Sequence, residues 1–230
     1  MPWVAGVDGC RAGWFVVLVG HDEGVVREDN RICASFREVL GLEPRPWIIA
    51  VDIPIGLLQK PSAGGRECDK EARRLLGTPR RSSVFTPPTR AALASVNYEE
   101  AQSFGTGMSR QAFGILPKIR EVDQLMTPEA QETVHEIHPE VCFYGLTGYP
   151  MRHNKKSTDG KAERLSALRG RFSHIGGASG KLPGSGVADD DILDAYAAAW
   201  TALRLAKNTA NRIPLHPPTD AKSLRMEMWY

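Results

Sequence analysis

One helix limits what this chain can fold into more than any other segment. The stretch GVADDDILDAYAAAWTALRLA, Gly186 to Ala206, is the most alanine-rich and apolar helical pattern in the sequence. It nevertheless opens on Asp189, Asp190 and Asp191, with Asp194 three residues on. A helix apolar on nearly all sides belongs in a core, and its alanines suit close packing. Three residues advance about 4.5 Å and rotate about 300°, so Asp191 and Asp194 share a face. Asp190 and Asp194, four apart, form a competing pair. One aspartate as N-cap is ordinary, and others in the first turn gain about 0.3–1 kcal/mol each from the helix dipole. That accounts for Asp189 and Asp190. It does not account for Asp194, which lies past the first turn among alanines.

Ahead of this helix the chain alternates short apolar runs with turn signals. WVAGVDG, GWFVVLVG and VVREDNRICAS, the last two separated by the turn HDEG, predict an antiparallel three-stranded meander. After the short amphipathic FREVLGL comes WIIAVDIPIGL, whose unbroken apolar run predicts a fourth strand buried on both faces and stopped by a proline. GGRECDKEARRLLG reads as a helix, followed by a Pro/Ser/Arg-rich loop and two helical patterns over about 90–104 and 110–126. TVHEIHPEVCFYGLTG predicts a strand to about His138, then a helix with Pro139 at its first position. GKAERLSALRG is a further helix, and the tail PPTDAKSLRMEMWY is read as a final strand. The expected fold is an α/β mixed sheet, three strands antiparallel and two parallel, in one domain over 1–230 with a helical insertion at about 60–128.

The acids follow the strands. Asp8 and Asp52 each close an apolar run and are followed by the breakers Gly9 and Pro54. With the first and fourth strands adjacent and parallel, both carboxylates emerge at one sheet edge. Converging carboxylates are costly, since two unit charges 4 Å apart repel by about 4 kcal/mol at an effective dielectric near 20. A divalent cation removes that cost, and oxygen-only ligands without a Cys or His cluster select Mg²⁺ or Mn²⁺. Such a site supports phosphoryl transfer to water, two ions about 3.5–4 Å apart activating the water and stabilising the departing oxygen. The alternative is a structural acidic cap.

Net charge is only +2, but residues 60–90 and 152–171 each carry +5, leaving −8 for the remainder. Basic segments around an acidic centre suit a polyanionic substrate, nucleic acid or nucleotide, although solvated basic helices read equally well. Nothing approaches the roughly 18 apolar residues that span a membrane. The N-terminus lacks signal-peptide features, so a cytoplasmic protein without membrane association is expected. Cys10, Cys33, Cys68 and Cys142 are far apart in sequence and form no C-x-x-C. They read as reduced thiols.

The ordered set GVDGCRAGW, VDIPIGL, CDKEAR, SVF, GMSRQAFGILPKIREVD, EIHPE, NKKSTDGKAER and DDDILDA resembles the ribonuclease H-like superfamily. It is closest to the branch known as domain-of-unknown-function family 429, predicted ribonuclease H-like nucleases. The resemblance implies a five-stranded sheet in the order 3-2-1-4-5, with acids on the first strand, the fourth strand and the last helix. It makes Asp8 and Asp52 metal ligands, and Asp191 and Asp194 similar to the terminal-helix motif of junction resolvases. Glu136 and Glu140 match family positions, and Glu140 either completes the metal site or caps its own helix. The implied activity is that of a metal-dependent nuclease or phosphoesterase.

Candidate phosphate contacts are Arg66, Arg73, Lys118, Lys155 and Lys156, each weighed against surface solvation and local pairing such as Arg73 with Asp69. His135 and His138 point to opposite faces of a strand, which favours structural histidines over a shared metal. Two other readings stay open. An actin-like nucleotide-binding ATPase or kinase is opposed by length, because 230 residues provide one lobe plus an insertion. A binding module that has kept the fold without catalysis is the other. The oligomeric state stays open, a homodimer included.

Overall fold

The computed structural model describes residues 3–22, 25–105, 108–175 and 185–230, so Glu23 and Gly24 of the expected HDEG turn lie outside the described residues. The meander is present as β1 (Trp3–Cys10), β2 (Gly13–Asp22) and β3 (Val25–Cys33), each antiparallel to its predecessor. β4 (Pro46–Val51) lies parallel to β1, and β5 (Val134–Glu136) parallel to β4. The sheet order β3-β2-β1-β4-β5 is the ribonuclease H-like topology, as expected.

Two compact units divide the chain. The first comprises Met1–Asp52, Thr133–Asn211 and Trp229–Tyr230, the second Ile53–Glu132 and Arg212–Met228. The first holds the five-stranded sheet and the helices α6 (Pro139–Thr147), α7 (Thr158–Leu168) and α8 (Asp189–Ala206). Its core forms where α8 lies on β1. A Cβ added at Gly6 would sit 2.0 Å from the Ala199 nitrogen and 2.2 Å from the Ala195 oxygen, so only glycine lets the helix backbone rest on the strand. Ala195, Ala198, Ala199 and Ala202 are buried there. The alanine-rich sequence of α8 thus follows from how near β1 it packs.

No aspartate occupies the N-cap of α8. Ala188 does, and Asp191 at N3 accepts a hydrogen bond from the Ala188 N–H at 2.9 Å. This corrects the expectation that an aspartate starts the helix; a carboxylate one turn in reaches back instead. β5 is also shorter than the strand expected to His138. It ends at Glu136, and His138 becomes the N-cap of α6, its Nδ1 accepting the Glu140 N–H at 3.2 Å, with Pro139 at the first helical position.

The second unit contains the expected helical segment. α2 (Glu67–Arg80) breaks at Gly77, where φ is 57° and Thr78 turns extended. The two later patterns are each interrupted. The first becomes a 3₁₀ turn (Ala91–Ala94) and α3 (Tyr98–Ser103), because the Asn97 side chain starts a new helix by accepting the Glu100 N–H. The second becomes α4 (Arg110–Gly114) and α5 (Leu116–Leu125), with Pro117 in the first turn of α5. The short helix α1 (Phe36–Leu40), capped by Ser35, belongs to the first unit. Near the C-terminus, β6 (Arg212–Ile213) and β7 (Met228–Trp229) form a two-stranded sheet. No helix among the described residues is long and apolar enough to cross a membrane.

Candidate active site

The parallel pairing of β1 and β4 sets Val7 opposite Val51, and the Asp52 N–H donates to the Val7 carbonyl at 3.0 Å. Asp8 and Asp52, one residue further on each strand, are therefore neighbours at one sheet edge. Asp8 does not end its strand, which runs two residues past it; Asp52 immediately follows β4. The third acid comes from α8, where Asp194, adjacent to the Ala195 that touches Gly6, is buried at 1% exposure. Asp8 is buried as well, and Asp52 is half-buried.

These groups act on one another through their charges. Burial pushes the Asp8 carboxyl well above the usual aspartate range, and the charges of Asp52, Asp194 and Asp191 push it further in the same direction, with Lys155 alone opposing. Burial raises Asp52 to about 6 against the pull of Lys155. Asp194 is also raised to about 6, by burial and by the charges of Asp52 and Glu140, although Lys155 lowers it. Carboxyls shifted upward by desolvation and by one another mark a site where negative charge is concentrated without matching donors.

Lys155 sits inside this group. Its Nζ donates to Asp194 Oδ2 at 2.7 Å and lies 3.7 Å from Asp190 Oδ2. Burial alone would lower its pKa, and the carboxylates of Asp194, Asp8 and Asp52 more than reverse this, holding it above the ordinary lysine value. The four acids of the final helix thus separate by role. Asp189 pairs with Lys161 at 3.0 Å, Asp190 and Asp194 face Lys155, and Asp191 caps its own helix while remaining within charge reach of Asp8.

Among the described residues, no three His, Cys, Asp or Glu side chains are gathered tightly enough to ligate an ion as they stand. The donor chemistry nevertheless fits a hard divalent cation, being all carboxylate oxygen with no thiol or imidazole in the group. One further carboxylate oxygen is available. Glu140, on α6, is buried; its Oε1 accepts from Arg164, whereas its Oε2 has no hydrogen-bond partner among the described residues, and its charge is felt at Asp194. Glu136, the last residue of β5, is buried at the edge that carries Asp52 on the next strand. Asp8, Asp52 and Asp194 could hold a divalent ion, with Asp191 and Glu140 as the next candidates.

The basic residues expected at phosphates separate sharply. Arg66 is 2% exposed; its guanidinium bonds Asp69 and the carbonyls of Ile55 and Gly56, so the expected substrate contact is corrected to a structural ion pair inside the second unit. Arg73 does not pair with Asp69. It donates to the Val84 and Gly64 carbonyls and to Thr86 Oγ1, which makes it a clasp between loops of that unit rather than a free cation. Lys118 is half-buried on α5 and has an interaction of its own. Lys156 is exposed beside Lys155.

Arg164 was not anticipated. It is 1% exposed on α7, donates to Glu140 Oε1 and to the carbonyls of His153 and Gly160, and so ties the EIHPE segment to the loop that carries Lys155. Its only sequence signal is its place one turn after Gly160 in NKKSTDGKAER.

Topology and site together describe an α/β protein of ribonuclease H-like fold with an acidic group at the edge of its two central parallel strands. The chain belongs to the family described as protein of unknown function, DUF429, whose model matches residues 6–219. Comparison with curated proteins finds no match.

Proposed function

We propose that this protein is a metal-dependent nuclease or related phosphoesterase that hydrolyses phosphodiester bonds in a nucleic acid or nucleotide. The observation that carries the reading is that Asp8, Asp52 and Asp194, from two strands and a helix, lie within reach of one another's charge, with carboxyls raised chiefly by desolvation. A purely structural acid is normally surrounded by donors that lower its pKa, whereas acids held in this condition suit a cation that arrives from solution. A divalent ion bound there would supply Lewis-acid polarisation of the phosphodiester and a more acidic water. Asp8 and Asp52 would be held in place by strand pairing and Asp194 by the helix that rests on Gly6. Lys156, exposed on the loop beside the acids, would contact phosphate.

The test is cleavage of single-stranded, duplex, hybrid and branched substrates in Mn²⁺. Asp8→Asn and Asp194→Asn are expected to lose at least about a hundredfold in rate, ~2.7 kcal/mol of transition-state stabilisation. Undiminished cleavage by either variant overturns the assignment. One observation favours a second reading, a nucleic-acid-binding module without catalysis: no three acids are gathered as a finished ligand set among the described residues. Nucleic-acid binding that is unaffected by Mn²⁺, with no cleavage of any substrate, would select it.

A further inference from the structure

Lys155 occupies the position where positive charge is most needed, and the loop around it is built to keep it there. Asn154 fixes the turn on either side: its carbonyl accepts from the Ser157 N–H at 2.9 Å and the Ser157 hydroxyl at 2.8 Å, and its side-chain oxygen accepts from the Lys156 N–H at 3.0 Å. The Glu163 carboxylate receives the N–H groups of Arg152 and His153. Arg164, anchored on Glu140, holds the His153 carbonyl at 3.2 Å. The start of α7 presses so closely on the loop that a Cβ at Gly160 would sit 1.9 Å from the Asn154 oxygen. A surface lysine waiting for phosphate would need none of this.

We infer that Lys155 is the resident counter-cation of the acidic site and takes the place of one of two divalent ions, so that the site accepts a single ion. Lys155 is the cation placed among these acids: it bonds Asp194 and lies 3.7 Å from Asp190, and its charge acts on Asp8 and Asp52. Glu140 has its own partner in Arg164 and Asp189 in Lys161, while Asp191 bonds the helix terminus. A second divalent ion would have to displace an ammonium already 2.7 Å from Asp194. The single-ion part rests on the nuclease reading; the counter-cation part does not.

The experiment has two arms, on the full chain. In EDTA, Lys155→Met is expected to lower the melting temperature by about 5–10 °C, because it leaves a buried carboxylate group uncompensated, and adding Asp194→Asn restores most of the loss. Lys155→Arg, which keeps the charge, falls less than half as far. An unchanged melting temperature in Lys155→Met, or no restoration by Asp194→Asn, overturns the inference. In the second arm, free Mn²⁺ is followed by electron paramagnetic resonance. The wild type binds one ion per chain at this site, and Lys155→Met binds two or binds the first at least tenfold more tightly. Two ions on the wild type, or weaker binding by Lys155→Met, overturns the single-ion part. If neither protein binds Mn²⁺, the nuclease reading fails, and the chelator arm alone decides whether Lys155 is the counter-cation.

Discussion

Asp194 in the first unit and Asp220 in the second are both aspartates with fully enclosed side chains, and their surroundings treat them oppositely. Asp220 accepts the N–H groups of Leu57, Lys222 and Leu224 at 2.9, 2.7 and 3.0 Å and pairs with Arg90, which also holds Asp123. Burial works against its charge, but these donors together hold its pKa below the usual range. Asp194 has one ammonium, and burial, reinforced by the charges of Asp52 and Glu140, raises it to about 6 against that ammonium. The first arrangement is what a fold makes of an acid it uses for itself, joining two distant stretches of one unit. The second keeps acid oxygens in low dielectric without satisfying them, which stabilises nothing unless a cation arrives.

That contrast breaks most readily at Asp220. Asp220→Ala strands three backbone donors and removes one of the two carboxylates that pair with the half-buried Arg90, so equilibrium urea unfolding is expected to show a loss of about 3–5 kcal/mol. Asp8→Asn should do the reverse. In chelator it removes one of three mutually repelling carboxylates, and stability is expected to stay level or rise by about 1–3 kcal/mol while cleavage is lost. A destabilisation of Asp8→Asn as large as that of Asp220→Ala would make the first unit's acids structural and erase the distinction.

How much of this was legible in the sequence depends on the range of the interaction. Asp8 and Asp52 could be paired in advance because a short apolar run ending in an acid, met twice with parallel strands expected, fixes the register through the backbone. The alanines of α8 likewise announced a close neighbour before Gly6 was known to be it. Lys155 could be suspected only of meeting phosphate, since its partner Asp194 is 39 residues away and no periodicity links a loop lysine to a helix acid. Arg66 and Arg73 misled for the opposite reason. Their charge and their basic segment suggest phosphate contacts, but neither says anything about the loop carbonyls that face them. The breaks at Asn97 and Pro117 carry a local signal, a helix-starting residue inside an apparently continuous pattern.

Acidity sharpens the comparison without altering the backbone. Asp52 and Asp194 are protonated in the folded state near pH 6 but only near pH 3.8 when unfolded. The folded form therefore binds more protons between those values, so the cost of their charge is fully present above about pH 6 and relieved as pH falls toward 4. Asp220, held below its ordinary value, contributes stability that is fully present above pH 3.8 and lost as pH falls below it toward the lower pKa of the folded state. The difference in melting temperature between Asp52→Asn and the wild type in EDTA is expected to be positive at pH 7.5 and to shrink toward zero by pH 4.5. A difference that stays constant over that range would mean Asp52 is not raised.

The smallest effects separate basic residues that clasp from those that face solvent. Arg73 contributes three hydrogen bonds to loops of the second unit, so Arg73→Gln should cost about 1–2 kcal/mol in urea unfolding, because the Val84 carbonyl and its neighbours lose their donor. Lys156 is exposed and, among the described residues, donates only its backbone N–H, which a substitution leaves in place. Lys156→Gln is therefore expected to change stability by less than about 0.5 kcal/mol. Its effect should lie in binding, where the loss of one phosphate contact reduces the slope of log affinity against log salt by about 1. If Arg73→Gln instead flattened the salt dependence at unchanged stability, the loop clasp would be secondary and the basic segment of the second unit would regain its place on the nucleic acid.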